Sequence, residues 1–471
     1  MIDRWVSRLR TAVGNPATPY VGAVVVRAGS RAVWGLALPA VLSVAAYGRY
    51  QLLITVAVMA AQLALLGSPQ TIVRHAGQRV PMGPLLLHAV LVGGVLVAIT
   101  PLLLPALRSA PAIAVVSGVV IATILATAYG ARAKSWFAFR TSWRAELAGA
   151  GVLILATVLV IGSVGSRDMV SPNIALTVEA IALAGTAMVL VLSLRRRRDG
   201  SEASSPPRLP TLFGDVYSVG GLVLLDVVLF RRLEVYFLER SPDGLAGVAV
   251  LGLALQIASV ALLVPTALLE AWQPKLAVIR RSGGAHAFEE DVRRRVRQFV
   301  PLMAATLVGS VAVTFLAVAF LFRQYQPWLP DVVAFFAIRV ACAGAGLYSA
   351  ALYAVGAQRA LYLPALAGGA VAIAANAMLT RPLGLGGAVV AYCLTQVVVT
   401  VLTVVAFRSG VEARRGSQNH GSDRAGGVTS PMRLPRHGSH APARPSRSRK
   451  PGCTSPSLRA PASRTKNASG N

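Results

Sequence analysis

From residue 21 to residue 408 the chain is a succession of apolar runs. Each is about as long as the roughly 20 residues that a helix needs to cross the hydrocarbon core of a bilayer. This feature constrains the fold more than any other. A backbone in hydrocarbon has to satisfy its own polar groups, and a helix does so within one segment. Composition agrees: 14% of residues are charged, against about 25% in a soluble domain. The chain reads as an all-α polytopic membrane protein.

The runs fall at residues 21–46, 52–72, 85–107, 112–129, 147–164 and 174–194. After a break they resume at 216–238, 245–271, 299–322, 332–355, 361–379 and 385–407. That makes about twelve spans, or eleven if the first, interrupted by Arg27 and Arg31, only dips into the bilayer. These two arginines stand four apart and so share a helix face. They either mark the end of a short span or face the cavity of a longer one. The break, residues 195–210, opens with Arg195–Arg198 and reads as a linker. We therefore expect two six-helix lobes around a central cavity, residues 21–194 and 211–408, preceded by a basic lead over residues 1–20. Residues 409–471 carry almost no large apolar side chains, which predicts a disordered basic tail. Such a tail is either plainly solvated or held to anionic lipid headgroups.

The net charge of +28 would suggest nucleic acid in a soluble protein. Here Lys and Arg sit in loops and in the tail, so membrane topology accounts for them first, and no nucleic-acid partner is expected. With the N-terminus in the cytoplasm, the inside connections collect Arg74, Arg79, Arg132, Lys134, Arg140, Arg144, Arg195–Arg198, Lys275 and Arg293–Arg295. The outside ones hold isolated arginines such as Arg49, Arg108 and Arg167. This bias predicts both termini in the cytoplasm of a cell whose inner (plasma) membrane the protein spans. The opening residues lack the apolar core of a signal peptide.

Nothing in the sequence points to an enzyme. The cysteines and histidines show no metal-binding spacing and no GxxxxGK[ST] is present, so neither cofactor nor ATP is expected. The informative residues are charges inside apolar runs. A charge at the bilayer centre costs at least about 2.5–3.5 kcal/mol and normally faces protein or a wet cavity. Asp226, Arg231 and Glu234 share one broad face of the seventh run, while Glu179 and Arg339 sit mid-run. We take these five as the candidate substrate cavity: arginine suits a pyrophosphate, and a carboxylate can carry a coupling ion, H+ or Na+. Glu179 and Arg339 are read as partners for the charges of the opposite lobe. The alternative is internal pairing, Arg231 with Glu234 at the membrane boundary and a buried pair for Glu179 or Arg339. Arg27, Arg31, Gln62, Gln256 and Asn376 are secondary candidates. The neutral ones serve more often as glue between helices.

Three stretches carry a resemblance. Residues 47–75 place Tyr47 and Gly48 ahead of a span that ends in Gly67 and Arg74; residues 231–255 join a charged span through a short turn to a helix of small residues; residues 356–396 place Asn376 before a turn and a Gly386–Gly387–Ala388 start. In order and spacing the chain resembles the Wzx-like oligosaccharide flippases of the multidrug/oligosaccharidyl-lipid/polysaccharide (MOP) exporter superfamily. The resemblance implies alternating-access translocation of a polyprenyl-pyrophosphate-linked oligosaccharide for cell-surface polysaccharide synthesis, with membrane lipids as surroundings. A cation-coupled small-molecule exporter of the same architecture is the alternative.

Overall fold

The computed structural model describes residues 18–75, 80–103, 108–136, 138–162, 170–196, 207–225, 233–354 and 358–425, with backbone alone in stretches such as 270–287 and 410–425. Among these residues the regular structure is entirely helical. Ten stretches are long and apolar enough to cross a membrane.

The first lobe holds α1 (Thr18–Val41), α2 (Val44–Leu65), the short α3 (Ser68–Arg74), α4 (Met82–Leu103), α5 (Ala110–Ser135), α6 (Phe139–Gly162) and α7 (Pro172–Arg196). α1 is one helix that carries both arginines, so it is a full-length first span rather than a dip. The second lobe holds α8 (Leu209–Leu225), α9 (Leu233–Glu239), α10 (Gly244–Ala261), α11 (Leu263–Phe320), α12 (Leu329–Cys342), α13 (Ala345–Ala354), α14 (Tyr362–Ala375) and α15 (Arg381–Ala425). The candidates Asp226 and Arg231 lie outside the described residues, in the interval between α8 and α9.

Twelve runs and ten stretches describe the same arrangement. The seventh run divides between α8 and α9, which are too short to qualify singly. The last two share one stretch, Arg359–Ser409, bent at Gly384, whose φ of +57° leaves the helical region. Two expectations need correction. The basic interval 275–298, expected as a loop, is helical within α11. Three acid–arginine pairs at helical spacing support it: Glu289–Arg293, Glu290–Arg294 and Asp291–Arg295. Phe288 and Val292 on its other face are buried against Ala351, Leu352 and Phe407. The tail, expected to be disordered from residue 409, remains helical to Ala425, because a span already nucleated can extend through helix-tolerant residues such as Val411–Arg415.

The lobes meet along α10 and at two ends. At the linker end, near the α7–α8 break, α3 packs on α8. Gly67 and Gly220 let the backbones approach: a Cβ on Gly67 would meet Val219, and one on Gly220 would meet the Leu66 carbonyl. His75 and Asp215 bridge the lobes here at 2.9 Å, and the Tyr217 hydroxyl lies 3.1 Å from His88 Nε2. At the far end α2 crosses α10 so closely that a Cβ on Gly48 would overlap the Leu245 carbonyl oxygen. Gln324, in the 3-10 turn Arg323–Trp328, donates to Pro39 O at 2.6 Å and Leu42 O at 3.0 Å. The neighbouring Tyr325 is fully buried and meets Tyr47 edge to face at 6.4 Å. Pro39 lies inside α1 and has no N–H for the carbonyl four residues earlier. That carbonyl, Gly35 O, faces the Tyr47 hydroxyl at 3.5 Å.

Candidate functional site: a charged cluster in each lobe

In the first lobe, α1, α6 and α7 enclose a pocket lined by Arg27, Ser30, Arg31, Glu146, Gly149 and Thr186. The helical repeat explains it: Arg27 and Arg31 stand one turn apart, and Ser30 lies between them on the same side. Arg27 Nη1 lies 3.6 Å from Glu146 Oε1, with the arginine side chain 36% and the glutamate 18% exposed. Arg31 acts electrostatically on both Glu146 and Glu179. Glu179, on α7, is buried and accepts a long hydrogen bond from the Tyr50 hydroxyl of α2, at 3.4 Å.

The second lobe has its own group. Glu234, one residue into α9, is 2% exposed. Its electrostatic partner is Arg339, 10 residues into α12. Tyr392 of α15 is buried beside both, with its ring 5.6 Å from that of Phe335.

The expected site residues thus separate. Glu179 belongs with Arg31 in the first lobe, and Glu234 with Arg339 in the second. The partners across the lobes considered for Glu179 and Arg339 give way to partners within each lobe. Arg27 and Arg31, secondary in the sequence, are central to the first-lobe pocket. Gln256 of α10 donates to Arg31 O at 3.2 Å, and Gly35 leaves room for its amide; it joins the lobes. Asn376 is fully buried and occupied, donating to Ala372 O and accepting from Thr380 Oγ1, both at 2.8 Å, in the π-turn Asn376–Thr380. Gln62 is half-buried on α2. Glu146 is the residue that sequence reasoning missed. It sits seven residues after the start of α6, where it reads as a boundary charge. Its only signal was its position on the side of the run that also carries Gly149, three residues on.

No protein-family model matches the chain, and no curated protein matches it in sequence. Solved structures do match. The outward-facing conformation of a multidrug resistance MATE family transporter of the MOP superfamily superposes with a TM-score of 0.61 at 16% identity, over 85% of this chain and 96% of that one. The chain has the MATE fold. An inward-facing MATE conformation matches with a TM-score of 0.59 at 14% identity, over 83% and 96% of the two chains. A MOP superfamily transporter from Pyrococcus furiosus, described as having a binding pocket of reverse polarity that suggests a different function, matches at 0.60 and 14%, over 85% and 96%. In the MATE fold two helical lobes face each other, and each lobe here carries one of the two charged groups.

Proposed function

We propose that the protein is a secondary transporter that works by alternating access in the plasma membrane, with the linker end and both termini in the cytoplasm. We further propose that its substrate carries an anionic headgroup, a polyprenyl-pyrophosphate-linked oligosaccharide bound for the cell surface. The observation that carries this reading is the pair Arg27 and Arg31. They line a pocket between three apolar helices, and one of them is over a third exposed. Bilayer arginines are expensive unless they have work to do, and a guanidinium presents a planar fork suited to phosphate oxygens. The 3.6 Å Arg27–Glu146 contact is loose enough for an incoming anion to displace it. Arg339 supplies a cation beside Glu234 in the second lobe, and Glu179 and Glu234 are the carboxylates available to H+ or Na+; Arg231 and Asp226 remain candidates from the sequence alone.

A cation-coupled small-molecule exporter is the second reading. It is favoured by Glu146 in the same pocket, by Glu179 within the electrostatic reach of Arg31, and by the multidrug transporters among the similar structures. The two arginines and two glutamates balance, so polarity turns on which pair the substrate engages.

The test is deletion of the gene in its own host, followed by analysis of lipid-linked sugars and surface polysaccharide. Loss of a surface glycan, with its lipid-linked precursor accumulating on the cytoplasmic side, supports the flippase. An intact glycan with altered tolerance to cationic compounds overturns it in favour of the exporter.

A further inference from the structure

Tyr50 stands between the first-lobe pocket and the far seam, and it touches something at each. On one side its hydroxyl donates to Glu179 Oε1 at 3.4 Å. On the other its ring stacks on Tyr47, one turn earlier on α2, at 6.1 Å and 22°. Tyr47 is fully buried; its hydroxyl accepts from Gln51 Nε2 at 2.7 Å, and its ring meets the edge of Tyr325. Tyr325 follows directly on Gln324, whose amide holds the end of α1 through Pro39 O and Leu42 O. Three aromatic rings therefore lead from an intramembrane carboxylate in one lobe to the turn of the other lobe that closes the far end.

We propose that Tyr50 is a positioning residue that couples the charge on Glu179 to closure of the far seam. The proposal rests on the transporter reading above and names the link between its pocket and one of its gates. An ionised Glu179 is a strong acceptor and fixes the rotation of the Tyr50 ring. A neutral Glu179, or one whose Arg31 has been drawn to a bound anion, is a different partner for that hydroxyl. The ring then loses one of its constraints, and the stack on Tyr47 that backs Tyr325 loosens with it. The groups that face Glu179 are few: Arg31 from α1 and Tyr50 from α2. α6 brings Glu146, which itself faces Arg27 and Arg31. The charged residues of α5, Arg132 and Lys134, lie in its last turn. No contiguous wire is needed beyond the rings named, because the seam is an interface with an open and a closed arrangement.

The reporter is Leu42→Cys, at a position 3% exposed within the seam. It is placed in the full-length chain with Cys342, Cys393 and Cys453 replaced by alanine, purified and held in lipid nanodiscs. The measurement is the rate of maleimide modification. Tyr50→Phe and Glu179→Gln should each raise it by about fivefold, the effect of one ordinary hydrogen bond on an opening equilibrium. The double variant should label no faster than either single one, since the two changes cut the same link. Gln324→Ala, which removes the seam bonds directly, fixes the released rate and shows that the reporter responds. A Tyr50→Phe rate equal to the parent, while Gln324→Ala labels fast, overturns the proposal. So does a double variant whose rate is the product of the two singles, because Tyr50 would then be acting as packing alone. Thermal unfolding of each variant separates a loosened seam from a damaged fold. The labelling needs no substrate, so it can fail while flux persists in proteoliposomes, and absent flux tests the transporter reading separately.

Discussion

At Gly48 the backbones of the two lobes come close together, and replacing it is a direct test of how the far end is closed. The added methyl group of Gly48→Ala would overlap the Leu245 carbonyl oxygen, with the Leu245 carbonyl carbon at 2.9 Å and its Cα at 3.3 Å from the new Cβ. An unstrained carbon–carbon contact needs about 3.5 Å or more. The obstacle is backbone on both sides, so no side-chain rotation relieves it, and α2 and α10 must separate by about 1 Å. Overpacking of this kind costs about 1–3 kcal/mol, and under the alternating access proposed above the cost falls on the closed arrangement alone. That converts to a shift of roughly 5- to 150-fold toward opening. Electron–electron distance measurements between spin labels at the exposed Arg108 and Arg381 positions would show the longer-distance population growing at the expense of the shorter. Gly94→Ala is the matched control. It lies on α4 with nothing within 4 Å of its would-be Cβ, so it should leave the distances unchanged and slightly stabilise the helix. If Gly48→Ala shows the parent's distance distribution and unfolds at the parent's temperature, the close crossing of α2 and α10 is not what the structure describes.

Three further outcomes follow from the second lobe. Removing Arg339 alone, as Arg339→Leu, leaves Glu234 2% exposed without its electrostatic partner. This should lower the unfolding temperature, whereas the double change Arg339→Leu with Glu234→Leu should recover most of the loss; thermal unfolding in detergent reads the difference. Asp243→Asn weakens the 2.6 Å bond from Leu385 N to Asp243 Oδ2, which holds the start of the last span beside Gly384. A loss of about 1–2 kcal/mol is expected in the same assay. Burial pushes the Glu239 carboxyl at the α9–α10 turn above the ordinary carboxylate range, against the pull of Arg240. The folded state therefore binds this proton more tightly than the unfolded chain does. The contribution of Glu239 to stability improves as pH falls through its raised value toward the unfolded one, and it is unfavourable above that window. Glu239→Gln should remove that part of the pH dependence and raise the unfolding temperature at neutral pH.

The helices were legible because bilayer length leaves a plain signature. The run 275–298 was not. Its charges read as a loop on hydropathy alone, although acids and arginines four residues apart are equally the pattern of a solvated helix. Glu179 and Arg339 stood out as isolated mid-run charges, but which charges face them depends on how α1, α7, α9 and α12 pack, and that is a property of three dimensions. Glu146 shows the same limit from the other side. Only the docking of α1 on α6 sets it against Arg27. Asn376, a secondary candidate that sequence alone reads more readily as helix glue, bonds within its own π-turn.

Pro39 gives α1 a joint. A helix normally resists bending because each carbonyl is held by the amide four residues on, and moving one end breaks that bond. At Gly35 no such bond exists to break, since residue 39 has no hydrogen to offer, and the contact that takes its place comes from Tyr47 of the neighbouring helix. The end of α1 beyond Gly35 is therefore an arm held by one backbone bond fewer, with a side-chain contact from Tyr47 in its place. Its tip, at Pro39 and Leu42, is the part that Gln324 holds. Repairing the ladder with an ordinary residue would stiffen the arm while leaving its grip in place.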